Sequence, residues 1–142
     1  MKSSDLIKHL TESGLMPQEE TLELPRSEKN LFIGIPRETA LQENRVALVP
    51  DSVGLLVNNG HRVLIESKAG EPANFTDKDY SEAGAEIVSD AKDVYRANII
   101  IKVAPPTLEE VAMFDPMQKQ ILFSALQITS QPKDCMKQLM KQ

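Results

Sequence analysis

The sequence predicts an α/β protein: an open, mainly parallel sheet with helices on both faces, Rossmann-like or flavodoxin-like, preceded by an N-terminal arm. Two observations carry this. Short apolar runs recur along residues 31–125, the strongest of them rich in β-branched side chains, as expected of strands buried on both faces. Between them fall helix-framing signals, a capping residue ahead and a glycine or proline behind. Strands alternating with helices in this way argue for parallel pairing through right-handed crossovers. The 142 residues are one domain's worth of chain, and 41% hydrophobic against 26% charged residues supplies a core.

Residues 1–30 read as an appendage. Leu6, Ile7 and Leu10 share one side of a short amphipathic helix that Gly14 ends, and residues 16–30 are polar, acidic and bracketed by Pro17 and Pro25. That composition suits an extended arm on the surface. From Leu31 the regular pattern begins. Residues 31–35 form the first strand, and a helix over 52–59 is framed by Asp51 as N-cap and Gly60 at the C′ position. Residues 62–66 are the second strand, and Thr76 caps a helix closed by Gly84. Residues 86–88 form a third strand and 90–95 a short helix. Residues 98–103 are the strongest strand, stopped by Pro105 and Pro106. Thr107 and Glu110 stand in the Thr-x-x-Glu spacing of a capping box, opening a helix toward Phe114. A last strand over 120–125 and a helix over 132–140 complete the pattern.

Composition excludes several function classes. Sixteen basic against twenty-one acidic residues leave a formal charge of -5 and a pI near 5.1, so no basic face is offered to a nucleic acid. No apolar run approaches the roughly eighteen residues a membrane span needs, and the N-terminus lacks the apolar core of a secretory signal. The single cysteine, Cys135, cannot form an internal disulfide, and no Cys/His spacing suits zinc. These features read as a cytoplasmic domain. The glycines stand at 14, 34, 54, 60, 70 and 84, never in Gly-x-Gly spacing, so neither a Rossmann fingerprint nor a Walker loop is present. A nucleotide would be held by another segment.

In an open parallel sheet, ligands bind beyond the carboxyl ends of the strands, and three residues fall there. Arg45 is followed by Val46, Ala47 and Leu48, so its backbone is packed while its guanidinium is available. A planar fork suits a carboxylate; the alternative is a surface arginine paired with Glu43 or Glu38. Lys102 interrupts an apolar strand at its carboxyl end. It is either a buried lysine with a partner, suited to proton transfer, or a strand-end lysine with its head in water. Gln127 follows the last strand; its amide can orient a carbonyl but cannot shuttle protons, and by position alone it is an ordinary polar residue. His9 and His61 read as solvated, and Cys135 as a packing residue on a helix.

Several ordered motifs over residues 31–142 resemble the opening of alanine dehydrogenase and of the proton-translocating transhydrogenase alpha subunit. They are Ile33-Gly34-Ile35-Pro36-Arg37-Glu38, Glu43-Asn44-Arg45-Val46-Ala47-Leu48-Val49-Pro50, Ala69-Gly70-Glu71, Phe75-Thr76-Asp77, Tyr80, Ala83-Gly84-Ala85 and Ile101-Lys102-Val103-Ala104-Pro105. The resemblance implies the N-terminal part of a substrate domain in a longer chain, with a dinucleotide-binding Rossmann domain inserted further on. NAD or NADP would then be bound mainly outside these residues. It further implies that Arg45 binds a substrate carboxylate and that Lys102 contacts the oxo-acid and assists the chemistry. In alanine dehydrogenases a catalytic histidine follows Leu-x-x-Leu; here Gln127 follows Leu126. Three readings are compatible with that change. The first is an alanine dehydrogenase that moves its proton through Lys102 or a water. The second is a transhydrogenase alpha subunit, which needs no such histidine, and the third is a catalytically inactive relative that binds amino acids or oxo-acids. A homo-oligomer is expected, with the arm available for subunit contacts.

Overall fold

The computed structural model of the chain describes residues 30–125 and 133–141. The expected N-terminal helix and arm, His9, and the segment 126–132 that carries Gln127 lie outside the described residues.

Among the described residues five parallel strands form one sheet: β1 (Phe32–Ile35), β2 (Arg62–Glu66), β3 (Glu86–Val88), β4 (Ile99–Ile101) and β5 (Ile121–Phe123), in the order β3-β2-β1-β4-β5. This is the order of a Rossmann-type sheet and not the flavodoxin order, a choice the strand pattern left open. Between the strands lie α1 (Pro50–Asn58), α2 (Asp77–Glu82), α3 (Ala91–Val94) and α4 (Leu108–Val111), with α5 (Lys133–Leu139) after β5.

Alternation along the strands separates two apolar layers. Ile33 and Ile35 of β1 and Val63 and Ile65 of β2 pack with Val53 of α1 and Tyr80 of α2. Phe32 and Ile100 face the other way, against Tyr95, Ala97 and Phe114 around α3 and α4. Gly34 of β1 lies on that second side, where a Cβ would meet the Val94 carbonyl at 2.5 Å. The absent side chain is what lets the end of α3 close onto the central strand.

The helix ends follow local rules, with one correction. Asp51 is not the N-cap of α1. Val49 occupies that position and Pro50 is the first helical residue, because proline lacks the N–H that a cap would satisfy and has φ preset for the first turn. Asp51 sits in the first turn, where its charge suits the helix dipole. Gly60 (φ 86°) and Gly84 (φ 92°) close α1 and α2. In each case the next residue's amide reaches back to the helix, His61 to Leu56 and Ala85 to Tyr80, a Schellman closure. Thr76 caps α2 as expected, its box completed by Asp79, and Thr107 with Glu110 caps α4. His61 is half-buried and not freely solvated: its Nδ1 accepts from the Leu31 amide at 3.3 Å. Cys135 is buried as expected, its Sγ donating to the Pro106 carbonyl at 3.4 Å.

Candidate active site

The strand order reverses between β1 and β4, since β2 and β3 extend one way from β1 and β5 the other way from β4. At such a switch point the loops leaving the two strands diverge and open a crevice. Residues 36–39 leave β1 there and residues 102–104 leave β4.

Lys102 stands at that point with its side chain 1% exposed. This removes the alternative of a strand-end lysine with its head in water. Its Nζ donates to Glu110 Oε1 at 2.7 Å and lies 3.6 Å from Glu38 Oε2. Each carboxylate is itself held by the backbone. Glu38 accepts from the amides of Val103 at 2.6 Å and Ala104 at 3.3 Å. Glu110 Oε2 accepts from the Thr107 amide at 2.8 Å, while Oε1 also accepts from Thr39 Oγ1 at 3.4 Å. A buried cation with two buried carboxylates is tolerable only when such extra bonds satisfy the oxygens. The cluster ties the loop after β1, the end of β4 and the first turn of α4 into one unit. Its local cause is readable. Pro105 and Pro106 stiffen the link between Lys102 and Thr107, and the capping box then aims Glu110 back at the lysine.

Arg45 is placed differently. Val46, Ala47 and Leu48 pack against the core, as expected, and the Tyr80 hydroxyl donates to the Leu48 carbonyl at 2.9 Å. Gly70 makes room for that tyrosine, since a Cβ there would meet the ring at 2.5 Å. The segment is thus anchored while the guanidinium stays outside, its side chain 75% exposed. It makes a two-point contact with Glu43, Nε to Oε1 at 2.8 Å and Nη2 to Oε2 at 2.7 Å. The hydrogen bonds from Arg45 bring the Glu43 carboxyl down to about 2. In return Glu43, and more weakly the charge of Glu38, hold the guanidinium above its usual range.

Beside the cluster opens a cleft of about 740 Å³, its wall including Arg37, Thr39, Glu66, Tyr95, Met113 and Cys135, a volume within the range of small-molecule sites. Neither Arg45 nor Lys102 is part of that wall. Tyr95 is 1% exposed, with its ring set edge-on to Phe114 at 5.2 Å. Its hydroxyl has no hydrogen-bond partner among the described residues. Burial first, then the charges of Glu110, Glu66 and Glu38, push that hydroxyl far up, so it stays protonated. The sequence marks Glu110 only as a capping residue and gives Tyr95 no role. A carboxylate a fixed proline-braced distance from a buried lysine was the available signal for Glu110; nothing local marked Tyr95.

The model of the family described as "Alanine dehydrogenase/PNT, N-terminal domain" matches residues 34–142. The chain belongs to that family. Among relatives of this alanine dehydrogenase/PNT N-terminal domain, the alanine dehydrogenase of Bacillus subtilis (strain 168) is 42% identical over 103 residues, 72% of this chain and 27% of that protein. That of Staphylococcus haemolyticus (strain JCSC1435) is 45% identical over 101 residues, 71% of this chain and 26% of that protein. Among solved structures, an L-alanine dehydrogenase superposes with a TM-score of 0.71 at 40% identity, covering 77% of this chain and 29% of that one. A transhydrogenase from Sinorhizobium meliloti superposes with a TM-score of 0.68 at 25% identity, covering 75% and 31%. The chain spans little more than a quarter of the length of the curated relatives it matches. The resemblance read from the motifs is borne out, and the N-terminal-domain fold is that of both branches of the family. No described helix is long and apolar enough to cross a membrane.

Proposed function

We propose that residues 31–142 are the substrate-side part of an NAD- or NADP-dependent oxidoreductase that interconverts alanine with pyruvate and ammonia, and that residues 1–30 are an arm outside that domain. The observation that carries this reading is Lys102, an ammonium fixed by two carboxylates at the switch point of the sheet. Its side chain is 1% exposed and stands behind the cleft wall, so it meets the oxygen of a 2-oxo-acid only once the full protein opens a path to it. Arg45 takes the substrate carboxylate, exchanging or sharing the contact it now makes with Glu43. Gln127 stands where the family places its histidine; its amide orients the substrate and leaves the proton to Lys102 or a water.

In this reading the cofactor is held mainly outside the described residues. The stretch from Pro36 to the start of α1 at Pro50 contains no glycine, so this strand-to-helix connection offers no backbone cradle for a pyrophosphate. The dinucleotide belongs to another segment of the full protein, which works in the cytoplasm as a homo-oligomer. The second reading, a transhydrogenase alpha subunit exchanging hydride between nicotinamide nucleotides, is supported by a superposition on the transhydrogenase almost as good as that on the dehydrogenase.

The deciding experiment gives the full-length protein alanine with NAD or NADP, then two different nucleotides without alanine, for wild type and Gln127→His. Weak alanine-dependent reduction that rises with histidine supports the dehydrogenase, because acid/base catalysis is worth about 100- to 10,000-fold. Hydride exchange between nucleotides with no response to alanine in either form establishes the second reading. Binding of alanine or pyruvate with neither activity leaves the inactive sensor.

A further inference from the structure

We infer that Glu43 is a positioning residue for Arg45: it holds the guanidinium by one edge and leaves the other edge for the substrate carboxylate. This rests on the reading of Arg45 as the residue that meets that carboxylate, and takes the contact with Glu43 as shared and not exchanged. A guanidinium carries five N–H donors in a planar fork, and two of its edges can each meet a carboxylate at two points. Glu43 takes the edge made by Nε, at 2.8 Å, and Nη2, at 2.7 Å. Among the described residues the hydrogen bonds of the guanidinium run through these two atoms. The edge made by Nη1 and the second hydrogen of Nη2 remains, and with 75% of the side chain exposed a ligand can reach it.

The glutamate suits this task because it is tied to the arginine's own main chain. Its Oε1 accepts from the Arg45 amide at 2.9 Å as well as from Arg45 Nε, which closes a small ring and fixes the guanidinium relative to its backbone. The stretch around the ring is itself held. Residues 40–43 turn, with the Glu43 amide donating to the Ala40 carbonyl at 3.1 Å and Gln42 at φ 64°, and Val46, Ala47 and Leu48 pack on the core. The Glu43 side chain is accordingly 13% exposed, while the arginine it grips stands in the open. An exposed arginine without such a hold loses rotamer freedom when a ligand arrives; here that freedom is lost before binding. Glu43 also has an opposing effect. The hydrogen bonds from Arg45 bring its carboxyl down to about 2, so it stays ionised and repels an incoming anion across the guanidinium. Positioning strengthens substrate binding and repulsion weakens it, so the sign of the effect tells the two apart.

The test compares wild type, Glu43→Ala and Glu43→Gln in the full-length protein. Glu43→Gln keeps an oxygen for the Arg45 amide and Nε and loses the partner of Nη2. Two readouts are taken. The first needs no turnover. Phenylglyoxal labels Arg45, the rate is followed by mass spectrometry of the digested protein, and pyruvate is titrated with reduced nucleotide and without ammonia until the rate is halved. Glu43→Ala should label several-fold faster than wild type, because the guanidinium is released. It should need about two- to ten-fold more pyruvate for half-protection, the cost of ordering one rotamer-rich side chain on binding. Glu43→Gln should fall between the two. The second readout is steady-state kinetics with alanine. Here Glu43→Ala should raise KM by the same factor and leave kcat within about two-fold, as for a contact made equally in ground and transition states. Urea midpoints should differ little, since an exposed ion pair adds little to stability, and Glu43→Gln carries the same comparison if the alanine variant fails to fold. A half-protection concentration that is unchanged or lower in Glu43→Ala overturns the inference, because Glu43 would then only compete with the substrate. A wild type in which pyruvate does not slow the labelling overturns the reading of Arg45 and the shared contact with it. A wild type without alanine turnover overturns the proposed activity alone, while the pyruvate titration still decides whether Glu43 places Arg45.

Discussion

Replacing Lys102 with methionine tests whether the buried cluster is a charge-balanced unit. Methionine keeps nearly the volume and flexibility of the lysine stem, so packing in the 1%-exposed site changes little. What changes is charge: Glu38 and Glu110, with side chains 4% and 8% exposed, lose their shared cation. Removing one partner of a buried ion pair costs about 3–5 kcal/mol. The carboxylates keep their backbone donors, Val103 and Ala104 on one and Thr107 on the other, which places the expected loss at the lower end, about 3 kcal/mol. Adding Glu110→Gln to Lys102→Met removes one of the stranded charges. The double variant should therefore be more stable than the sum of the single losses predicts, by about 1–3 kcal/mol of coupling. Urea unfolding of wild type, both singles and the double gives these values, provided m is unchanged. A Lys102→Met loss below about 1 kcal/mol, or strict additivity, would refute the account of a desolvated cluster and leave Lys102 as an ordinary surface cation.

Other outcomes follow from the same structure. Arg45→Lys keeps charge but loses the two-point geometry seen with Glu43, so substrate efficiency should fall about ten- to a hundred-fold, the value of one charge-assisted hydrogen bond. Cofactor affinity should stay unchanged, and parallel loss of both would assign Arg45 a different role. Tyr80→Phe removes the bond to the Leu48 carbonyl and should cost about 0.5–1.5 kcal/mol near neutral pH. Burial raises the Tyr80 hydroxyl from 10.0 to about 12. Its contribution is thus fully present below pH 10 and lost as pH rises through about 12, and Tyr80→Phe should flatten that alkaline limb in urea midpoints. Gly34→Ala puts a methyl group 2.5 Å from the Val94 carbonyl and 2.9 Å from a Val94 methyl, about 0.8 Å inside a normal C···O contact. Because the obstacle is backbone, the loss should reach about 1–3 kcal/mol, and an unchanged urea midpoint would show that α3 shifts freely.

The sequence alone determined which segments become strands and helices, because that information is local. β-Branched runs, capping residues and glycines at C′ positions act within a few residues of themselves, and the five strands and the Thr76 and Thr107 caps fall where they place them. It also determined the family, through motifs spread along residues 31–142. Asp51 is the cap that the local pattern misplaces, because Pro50 already fits the first turn and moves the N-cap to Val49.

What the local pattern could not decide was everything set by pairing across distance. Parallel crossovers of similar length permit either of two strand orders, and only the assembled sheet shows β1 between β2 and β4, which locates the switch point. The environment of Lys102 was likewise undecided, because its partners come from 64 residues earlier and 8 residues later in the chain, Glu38 and Glu110. Desolvation depends on what covers a group, and a lysine at a strand end reads the same in sequence whether water or two carboxylates meet its head. The contrast with Arg45 makes the point. Its partner Glu43 is two residues away, so that pairing was legible from the sequence, and it is also the exposed one.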